Sequence, residues 1–494
     1  MTKAIIIGSG MGGLATALRL AYKGFDVTIL EKQSIPGGRS TIIEEQGFRV
    51  DIGPTILVMK DTMEDTYRSI GQDLNKRIQF TQLDPNYRIY YHDQTYLDLY
   101  NSMAKLAAEV EKISPGFTER IFRFIGEGAK KFELGMDFVN RNFDNIFDLA
   151  NPVALGRLLS TGAAQNMYKQ VASFFDQNDK LTKAFSFHSM FLGLSPFEAL
   201  AMYSLITYAD LALGMWYPHG GMYRIVEDMV KLGQEMGVTL RTKSPVEKIL
   251  IESGKATGVR LESGEIVTAD LVISNADLPY TYQKLIDPQH RKIYTDQKLN
   301  KMKYGCSGYL LFLGINKTYT HLRHQGLYFS EDYQKNLDAI FKYKTLPEDP
   351  SFHINVPTIT DPGLAPEGHS LLYVLAPMPN LTAKINWEEA SPIVRGQIIS
   401  QLKKLVDPDI EKHIVWESTY TPNDYQSDIN AVHGTAFGSL SHGFFQSSYF
   451  RPHNVARDIK GLYFVGQGTY PGIGMPMVHI SAKLVAERIL KEWG

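Results

Sequence analysis

The feature that most constrains the fold of this chain is a glycine-rich turn between an apolar strand and a helix near its amino end. Residues 3–7 read KAIII, a β-branched apolar run that stops at Gly8 and predicts a buried strand. Residues 11–22 have helical composition, and residues 26–30 predict a second strand. A strand, a helix and a strand in succession fold most simply around a parallel sheet, so an α/β domain is predicted here.

The glycine turn itself predicts a phosphate site. Its sequence GSGMGG supplies Gly8, Gly10 and Gly13 in the GxGxxG spacing, with Gly12 beside them. These positions suit, in order, a tight turn, close approach of the backbone to a pyrophosphate, and packing of the helix on the strand. Glu31 follows the second strand, where a carboxylate binds ribose hydroxyls and repels a 2′-phosphate. A Rossmann-like dinucleotide site is predicted; NADP is disfavoured, while NAD and FAD both remain open.

A second glycine pair favours FAD. KQSIPGGRST comes directly after Glu31, and it places Gly37 and Gly38 where backbone can again approach a ligand closely. Arg39 can pair with a phosphate. A second phosphate contact so soon after the ribose carboxylate is typical of flavoproteins.

The carboxyl end supplies another strand, glycine-rich turn and helix. Glycines in this turn let the backbone approach a flat ring, and the helix dipole would stabilise negative charge on it. The glycines concerned are Gly466, Gly468, Gly472 and Gly474. Phosphate and ring motifs at opposite ends of one chain predict a cofactor site assembled from both.

The chain is long enough for several domains, with 494 residues of which 44% are hydrophobic. Residues 101–214 have a helical pattern, α/β character returns at 223–276, and strand-like runs dominate from 304 to about 377. We therefore predict an α/β fold with three regions: an FAD-binding domain from residues 1–75, 215–290 and 455–494, a mainly helical region at 76–214, and a β-rich substrate region at 291–454.

Composition excludes several classes of protein. The 51 basic and 53 acidic residues nearly cancel, so no nucleic-acid partner is expected. Cys306 is the one cysteine, which excludes an internal disulfide and multi-cysteine metal sites, and a small buried hydrophobe is its favoured interpretation. Neither a metal-ligand cluster nor a nucleophile elbow occurs, which argues against metal catalysis and hydrolysis. Lacking a signal peptide or a spanning helix, the chain is expected to be cytoplasmic.

Longer strings resemble known flavoproteins. The glycine fingerprint, the acidic residue, the GGR stretch and residues 47–55, GFRVDIGPT, resemble the amine-oxidase-like FAD superfamily. Residues 184–226, residues 273–282 (ISNADLPYTY) and residues 468–476 (GTYPGIGMP) resemble the phytoene desaturase family, the bacterial and fungal type of carotenoid desaturase. This resemblance spans essentially the whole chain and is far more specific than GxGxxG.

The resemblance implies a membrane-associated FAD enzyme that forms conjugated double bonds in a long polyisoprenoid such as phytoene. It implies a helical, membrane-facing part beside an inserted α+β substrate domain, and peripheral attachment to the membrane. By this resemblance, the residues of the glycine fingerprint would bind FAD, and Val246 would lie beside the adenosine. Beside the isoalloxazine it places Gly466, Gly468, Gly474, Met475 and Pro476. Gln467 departs from the small residue expected at its position.

Removal of hydrogen from an unactivated CH–CH unit needs a hydride acceptor, which only the flavin can provide. His188, Glu198 and His219 lie in the family-like segment and are tentative candidates for polar assistance. Because no second dinucleotide fingerprint appears, oxygen or a quinone is expected to reoxidise the flavin. The alternatives are a carotenoid end-group oxidase, a polyene saturase, an amine oxidase, or a flavin-binding scaffold without turnover.

Overall fold

The cofactor end of the molecule is built on a parallel sheet. The computed structural model describes residues 1–143, 156, 162–443 and 446–494. With strands numbered along the chain, this sheet has the order β19-β13-β1-β2-β9. Its strands are β1 (Lys3–Ile7), β2 (Asp26–Leu30), β9 (Thr239–Arg241), β13 (Leu271–Ser274) and β19 (Leu462–Phe464). The predicted strand, helix and strand at the amino end are therefore confirmed, and the sheet joins three separated segments of the chain.

Each face of this sheet is buried against a different layer. Alternate side chains such as Ile6 and Ile29 pack under helices, whereas Ile5 and Ile7 pack against a small antiparallel sheet. The helices are α1 (Met11–Tyr22), α2 (Lys60–Arg68), α8 (Tyr223–Glu235) and α11 (Met475–Trp493). The small sheet contains β10 (Val246–Glu252), β11 (Lys255–Leu261) and β12 (Ile266–Thr268). Burial on both faces explains why the strands β1, β13 and β19 read as almost continuous apolar runs.

A seven-stranded sheet forms the second half of the molecule, in the order β18-β14-β17-β16-β15-β6-β7. All of its pairings are antiparallel except that of β15 with β6. Helix α9 (Trp387–Leu405) covers one face of the sheet. The strands are β6 (Tyr87–Tyr91), β7 (Tyr96–Leu99), β14 (Ser307–Ile315), β15 (Gln325–Phe329), β16 (Phe352–Asn355), β17 (Ser370–Met378) and β18 (Ile414–Tyr420).

Helices dominate the region between these sheets. Buried rings of Phe124, Phe175 and Phe185 pack together at its centre. Side-chain caps begin several helices; the Asn178 Oδ1, for example, accepts a hydrogen bond from the Leu181 backbone N–H at 3.0 Å. The helices are α3 (Met103–Ile113), α4 (Thr118–Val139), α5 (Met167–Phe174), α6 (Asp179–Ser186) and α7 (Ser204–Leu213). Part of the predicted helical stretch, residues 144–155 and 157–161, lies outside the described residues.

The remaining elements connect these layers. The stretch 76–214, predicted to be mainly helical, also contributes β6 and β7 to the larger sheet. Hairpin and linking strands are β3 (Thr41–Glu45), β4 (Phe48–Ile52), β5 (Phe80–Gln82) and β8 (Trp216–Pro218). Other helices are α10 (Pro422–Ile429) and the short Leu74–Arg77, Leu278–Tyr280, Asp296–Lys301, Tyr333–Asp338 and Ile410–His413. Within the described ranges, no helix combines the length and the apolarity that a bilayer crossing requires.

Candidate active site

One cavity of about 820 Å³ runs from the glycine turn after β1 to the helical region. Most of the predicted cofactor residues line it: Gly8, Gly10, Gly12, Glu31, Gly38, Arg39, Val246, Gly466, Gly474, Met475 and Pro476. Gly13 and Gly468 lie behind this lining, where they pack against neighbouring backbone. The two motifs from opposite ends of the chain thus meet at one cavity.

The first glycine turn has the geometry of a phosphate cradle. Gly8 adopts a φ of +92°, which glycine tolerates best. A Cβ on Gly13 would lie 2.4 Å from the Gly8 carbonyl oxygen, so helix α1 can approach the strand only with glycine there. The first turn of α1 has neither a side-chain cap nor an acidic residue. Its free N–H groups and dipole therefore favour an anion at this end of the cavity.

Glu31 lies at the end of β2 and is held by three hydrogen bonds. Its Oε2 accepts from the backbone N–H and the hydroxyl of Ser9 at 2.8 and 2.6 Å. Its Oε1 accepts from the Gln33 N–H at 2.8 Å. An ionised carboxylate has about four acceptor positions, so one is left for a hydroxyl of a ligand in the cavity.

The turn Gly53–Thr55 crosses the cavity and is held from the seven-stranded sheet. Gly53 has a φ of +118°, and a Cβ there would lie 1.9 Å from the Arg39 carbonyl oxygen. The Tyr373 hydroxyl donates to the Gly53 carbonyl at 2.9 Å, and the Gln325 side-chain amide donates to the Thr55 carbonyl at 2.8 Å. The sequence does not predict these two hydrogen bonds, because their donors stand on strands more than 250 residues away in the chain.

Asn275 links the two glycine turns. Its Nδ2 donates to the Val465 carbonyl at 3.1 Å. A Cβ on Gly10 would lie 2.7 Å from its Oδ1, and a Cβ on Gly466 would lie 2.6 Å from its Nδ2. Asn275 stands in the string ISNADLPYTY, but only the fold shows that its side chain lies between the two turns.

Arg451 supports the carboxyl-terminal glycine turn from below. The side chain is 1% exposed and donates to carbonyl oxygens rather than to carboxylates. Burial lowers the pKa of this guanidinium to about 10, so it stays charged at neutral pH. The carbonyls belong to Leu440 (3.3 Å), Gln446 (3.3 Å), Thr469 (3.1 Å) and Gln467. A ring bound at this turn would lie near this fixed positive charge, which would favour negative charge on the ring.

Of the described histidines, His353 and His442 line the cavity. The Nε2 of His442 accepts from the Ile473 backbone N–H at 3.2 Å, and its Nδ1 lies 3.3 Å from the Tyr203 hydroxyl. Burial holds the pKa of His442 well below its usual value, so the ring is neutral. Both ring nitrogens of His442 are therefore engaged.

The three tentative catalytic residues lie elsewhere. His188 is fully buried, with Nε2 2.9 Å from an Asp210 carboxylate oxygen. Glu198 is exposed, and the Nε2 of His219 lies 2.8 Å from the Thr81 hydroxyl. All three belong to the described part of the chain, and none lines the cavity. Their role in polar assistance stays a prediction. Cys306 is buried, as predicted, and burial raises the pKa of its thiol to about 12.

The helical end of the cavity is apolar. Its lining includes Met136, Phe138, Val139, Phe191, Leu205 and Ile206. At the other end, the first turns of α1 and α11 border the same cavity, and neither helix has a side-chain cap. The carboxylate of Glu31 borders it there too. The cavity thus offers free helix N–H groups for phosphates, a carboxylate for a ribose and glycine backbone for a flat ring, and these residues fit FAD.

The fold and the site define a flavin-dependent oxidoreductase with an α/β dinucleotide domain. The model of the flavin containing amine oxidoreductase family matches residues 11–490. A zeta-carotene-forming phytoene desaturase of Myxococcus xanthus is 40% identical, covering 98% of this chain and 93% of its own. A phytoene desaturase of Neurospora crassa is 35% identical, covering 99% and 84%. This chain belongs to the flavin containing amine oxidoreductases and, among them, to the phytoene desaturase family.

Solved structures agree with this fold. An oxidoreductase from Methanosarcina mazei superposes with a TM-score of 0.67 at 19% identity, covering 98% of this chain and 100% of its own. The predictions of the family, of FAD as cofactor and of an oxidoreductase are confirmed.

Proposed function

We propose that this chain is an FAD-dependent carotenoid desaturase that introduces conjugated double bonds into a long polyisoprenoid such as phytoene. The observation that carries the proposal is the single cavity, which joins a dinucleotide site to an apolar arm. None of the described residues lining that arm, between Gly135 and Ala209, is charged. A polyene fits such a surface, whereas a charged amine would lose hydration there without meeting an opposite charge.

The roles of the cofactor residues follow from their positions. Bound FAD supplies the hydride acceptor that no side chain can replace. The backbone at Gly10 and the start of α1 would hold the pyrophosphate, and Glu31 the ribose. Val246 would contact the adenosine. The turn 466–475 would lie against the isoalloxazine, and Arg451 would hold that turn through the Gln467 and Thr469 carbonyls.

Purified holoenzyme supplied with phytoene in liposomes is expected to form a more conjugated carotene under air or with a quinone. The growing polyene absorption measures turnover, and the flavin-free Gly10→Val protein serves as control. The desaturase proposal would be wrong if the enzyme formed no conjugated product from phytoene but oxidised amines or saturated polyenes. One of those flavin reactions would then be its function.

The domain arrangement is part of the proposal. Residues 1–75, 215–290 and 455–494 would form the cofactor domain, because they contain the five strands of the parallel sheet. Residues 76–214 and 291–454 would form the inserted substrate domain and its helical, membrane-facing part. The apolar arm of the cavity belongs mainly to those helices, which supports this division.

We also propose peripheral membrane association, because a carotene dissolves in the bilayer and must enter the apolar arm from it. Holoenzyme mixed with phospholipid vesicles is expected to float with them in a density gradient. Vesicles of neutral and of anionic lipid separate apolar from electrostatic attachment. Normal turnover by protein that floats with neither lipid would exclude a docking surface.

A further inference from the structure

His353 occupies a polar position on the wall of the cavity. It lies on β16, where it pairs in register with Leu375 of β17. His353, Leu375 and Tyr373 all line the cavity, so one face of the larger sheet looks onto it. The His353 residue is 8% exposed, and its ring centroid lies 6.1 Å from that of Tyr373, edge to face. An imidazole thus stands in surroundings that are otherwise suited to an apolar chain.

The hydrogen bonds around His353 fix which nitrogen carries the proton. The Nε2 of Gln325 donates to the Thr55 carbonyl at 2.8 Å, so the Oε1 of Gln325 must face the other way. That oxygen lies 2.6 Å from the Nε2 of His353. Since Oε1 can only accept, Nε2 of the neutral imidazole is the protonated nitrogen. Nδ1 therefore holds the free lone pair, and no described residue donates to it.

The same contacts tie the ring of His353 to the turn 53–55 on the cavity wall. Gln325 connects His353 to Thr55, and Tyr373 binds the carbonyl of Gly53 at the other end of the same turn. This turn lines the cavity. His442, the other cavity histidine in the described chain, has both nitrogens engaged and offers no free lone pair.

We propose that His353 is the proton acceptor of the desaturation, with Nδ1 as the basic atom. In each step, two C–H bonds on adjacent substrate carbons break. One hydrogen leaves as hydride to the bound FAD, which is the two-electron oxidant, and the other leaves as a proton to Nδ1. The electron pair of the second C–H bond becomes the new π bond. The proton then passes to solvent, and oxygen or a quinone takes the electrons. This assignment rests on the proposed desaturase function.

The electrostatics of His353 suit this task. Burial lowers the pKa of its imidazole to about 3, so the ring is neutral and able to accept a proton at physiological pH. Such a ring is a weak base. Loss of hydride from an allylic carbon leaves positive charge on the substrate, which makes the neighbouring C–H strongly acidic. A weak base that is already positioned is therefore sufficient.

His353→Gln is the decisive substitution, because its side-chain amide can still donate to Gln325 but carries no basic nitrogen. We expect kcat for phytoene to fall by about 10²- to 10⁴-fold, the usual contribution of a positioned base, with FAD content and KM unchanged. His324→Gln is the matched control. His324 is buried on the loop before β15, its Nδ1 lies 2.7 Å from the Thr360 hydroxyl, and it does not line the cavity. Its kcat is expected to stay within about twofold of wild type. A His353→Gln enzyme with wild-type kcat would overturn the assignment.

A second measurement does not depend on turnover. In protein labelled with ¹⁵N-histidine, the resonances lost in His353→Gln are expected to show a protonated Nε2 and an unprotonated Nδ1 at pH 7. The opposite tautomer would overturn the proposal even if the kinetic result agreed. Wild-type protein that forms no conjugated product would instead contradict the desaturase function, while the spectrum would still report the state of His353.

Discussion

Gly10→Val protein is expected to fold and to purify without flavin. A Cβ at this position would lie 2.7 Å from the Asn275 Oδ1, and that side chain is tied to the Val465 carbonyl. The two γ-methyl groups of valine add bulk beside the first turn of α1, where the pyrophosphate is expected. The loss of the phosphate contacts should reduce FAD occupancy from near stoichiometric to a few per cent or less, a change of about 3 kcal/mol or more. The ratio of absorbance at 450 nm to that at 280 nm measures occupancy.

Gly396→Val is the matched control for this substitution. Gly396 lies on the exposed side of α9, and a Cβ there would meet nothing within 4 Å. This variant is expected to keep its flavin. If Gly10→Val instead carried a full flavin spectrum, the cofactor would not approach the first glycine turn and the assignment of the site would be wrong.

Arg451→Met is expected to cause the largest loss of stability. The substitution removes the donor from the carbonyls of Leu440, Gln446, Gln467 and Thr469. The bonds to Leu440 and Thr469 are buried, and each buried polar group left without a partner costs about 1–3 kcal/mol. Several of these losses together should exceed about 3 kcal/mol, even after some carbonyls find new partners. Thermal unfolding followed by the release of FAD fluorescence measures the change, and flavin is expected to leave at a lower temperature.

Arg451→Lys separates the charge from the geometry. Lysine keeps the positive charge but offers three donors from one atom, so it cannot reach all four carbonyls. We expect it to fall between wild type and Arg451→Met in unfolding temperature. Equal stability of wild type and Arg451→Met would show that the carbonyls need no cation, and the proposed support of the glycine turn would have to be abandoned.

The elements that sequence predicts best are those in which neighbouring residues carry the signal. The apolar run 3–7, the glycine turn and Glu31 lie within about thirty residues, and each has a physical reason to stand where it does. The structure reproduces the strands and the helix, and it brings Glu31 to the cavity. The carboxyl-terminal glycine turn was recognisable for the same reason.

The residues that sequence did not identify act across long separations. Asn275, Gln325 and Tyr373 become significant only because the fold sets them beside the glycine turns. His353 belongs to no motif; its strand reads FHIN, and although apolar and polar residues alternate, the sequence does not reveal that the polar face meets the cavity. The sequence therefore predicted the glycine turns and Glu31 but not the cavity wall formed by the seven-stranded sheet.

The residues predicted to give polar assistance illustrate the same limit. His188, Glu198 and His219 stand in the stretch 184–226, which resembles the phytoene desaturases. Resemblance locates a segment but not the direction of its side chains. Much of that segment packs in the core around Phe187 and Leu211, and its cavity contacts are made by apolar neighbours such as Ile206.

The division of the parallel sheet among three segments has a consequence for how the protein is made in the cell. On the ribosome, the first glycine turn emerges early, whereas β19 and α11 emerge only after the entire seven-stranded sheet. Until then the apolar side of α1, which will pack on α11, has no partner. Contacts between such distant segments form slowly, and exposed apolar stripes attract other chains meanwhile. A cofactor site that needs both glycine turns is therefore completed late in the folding of this chain.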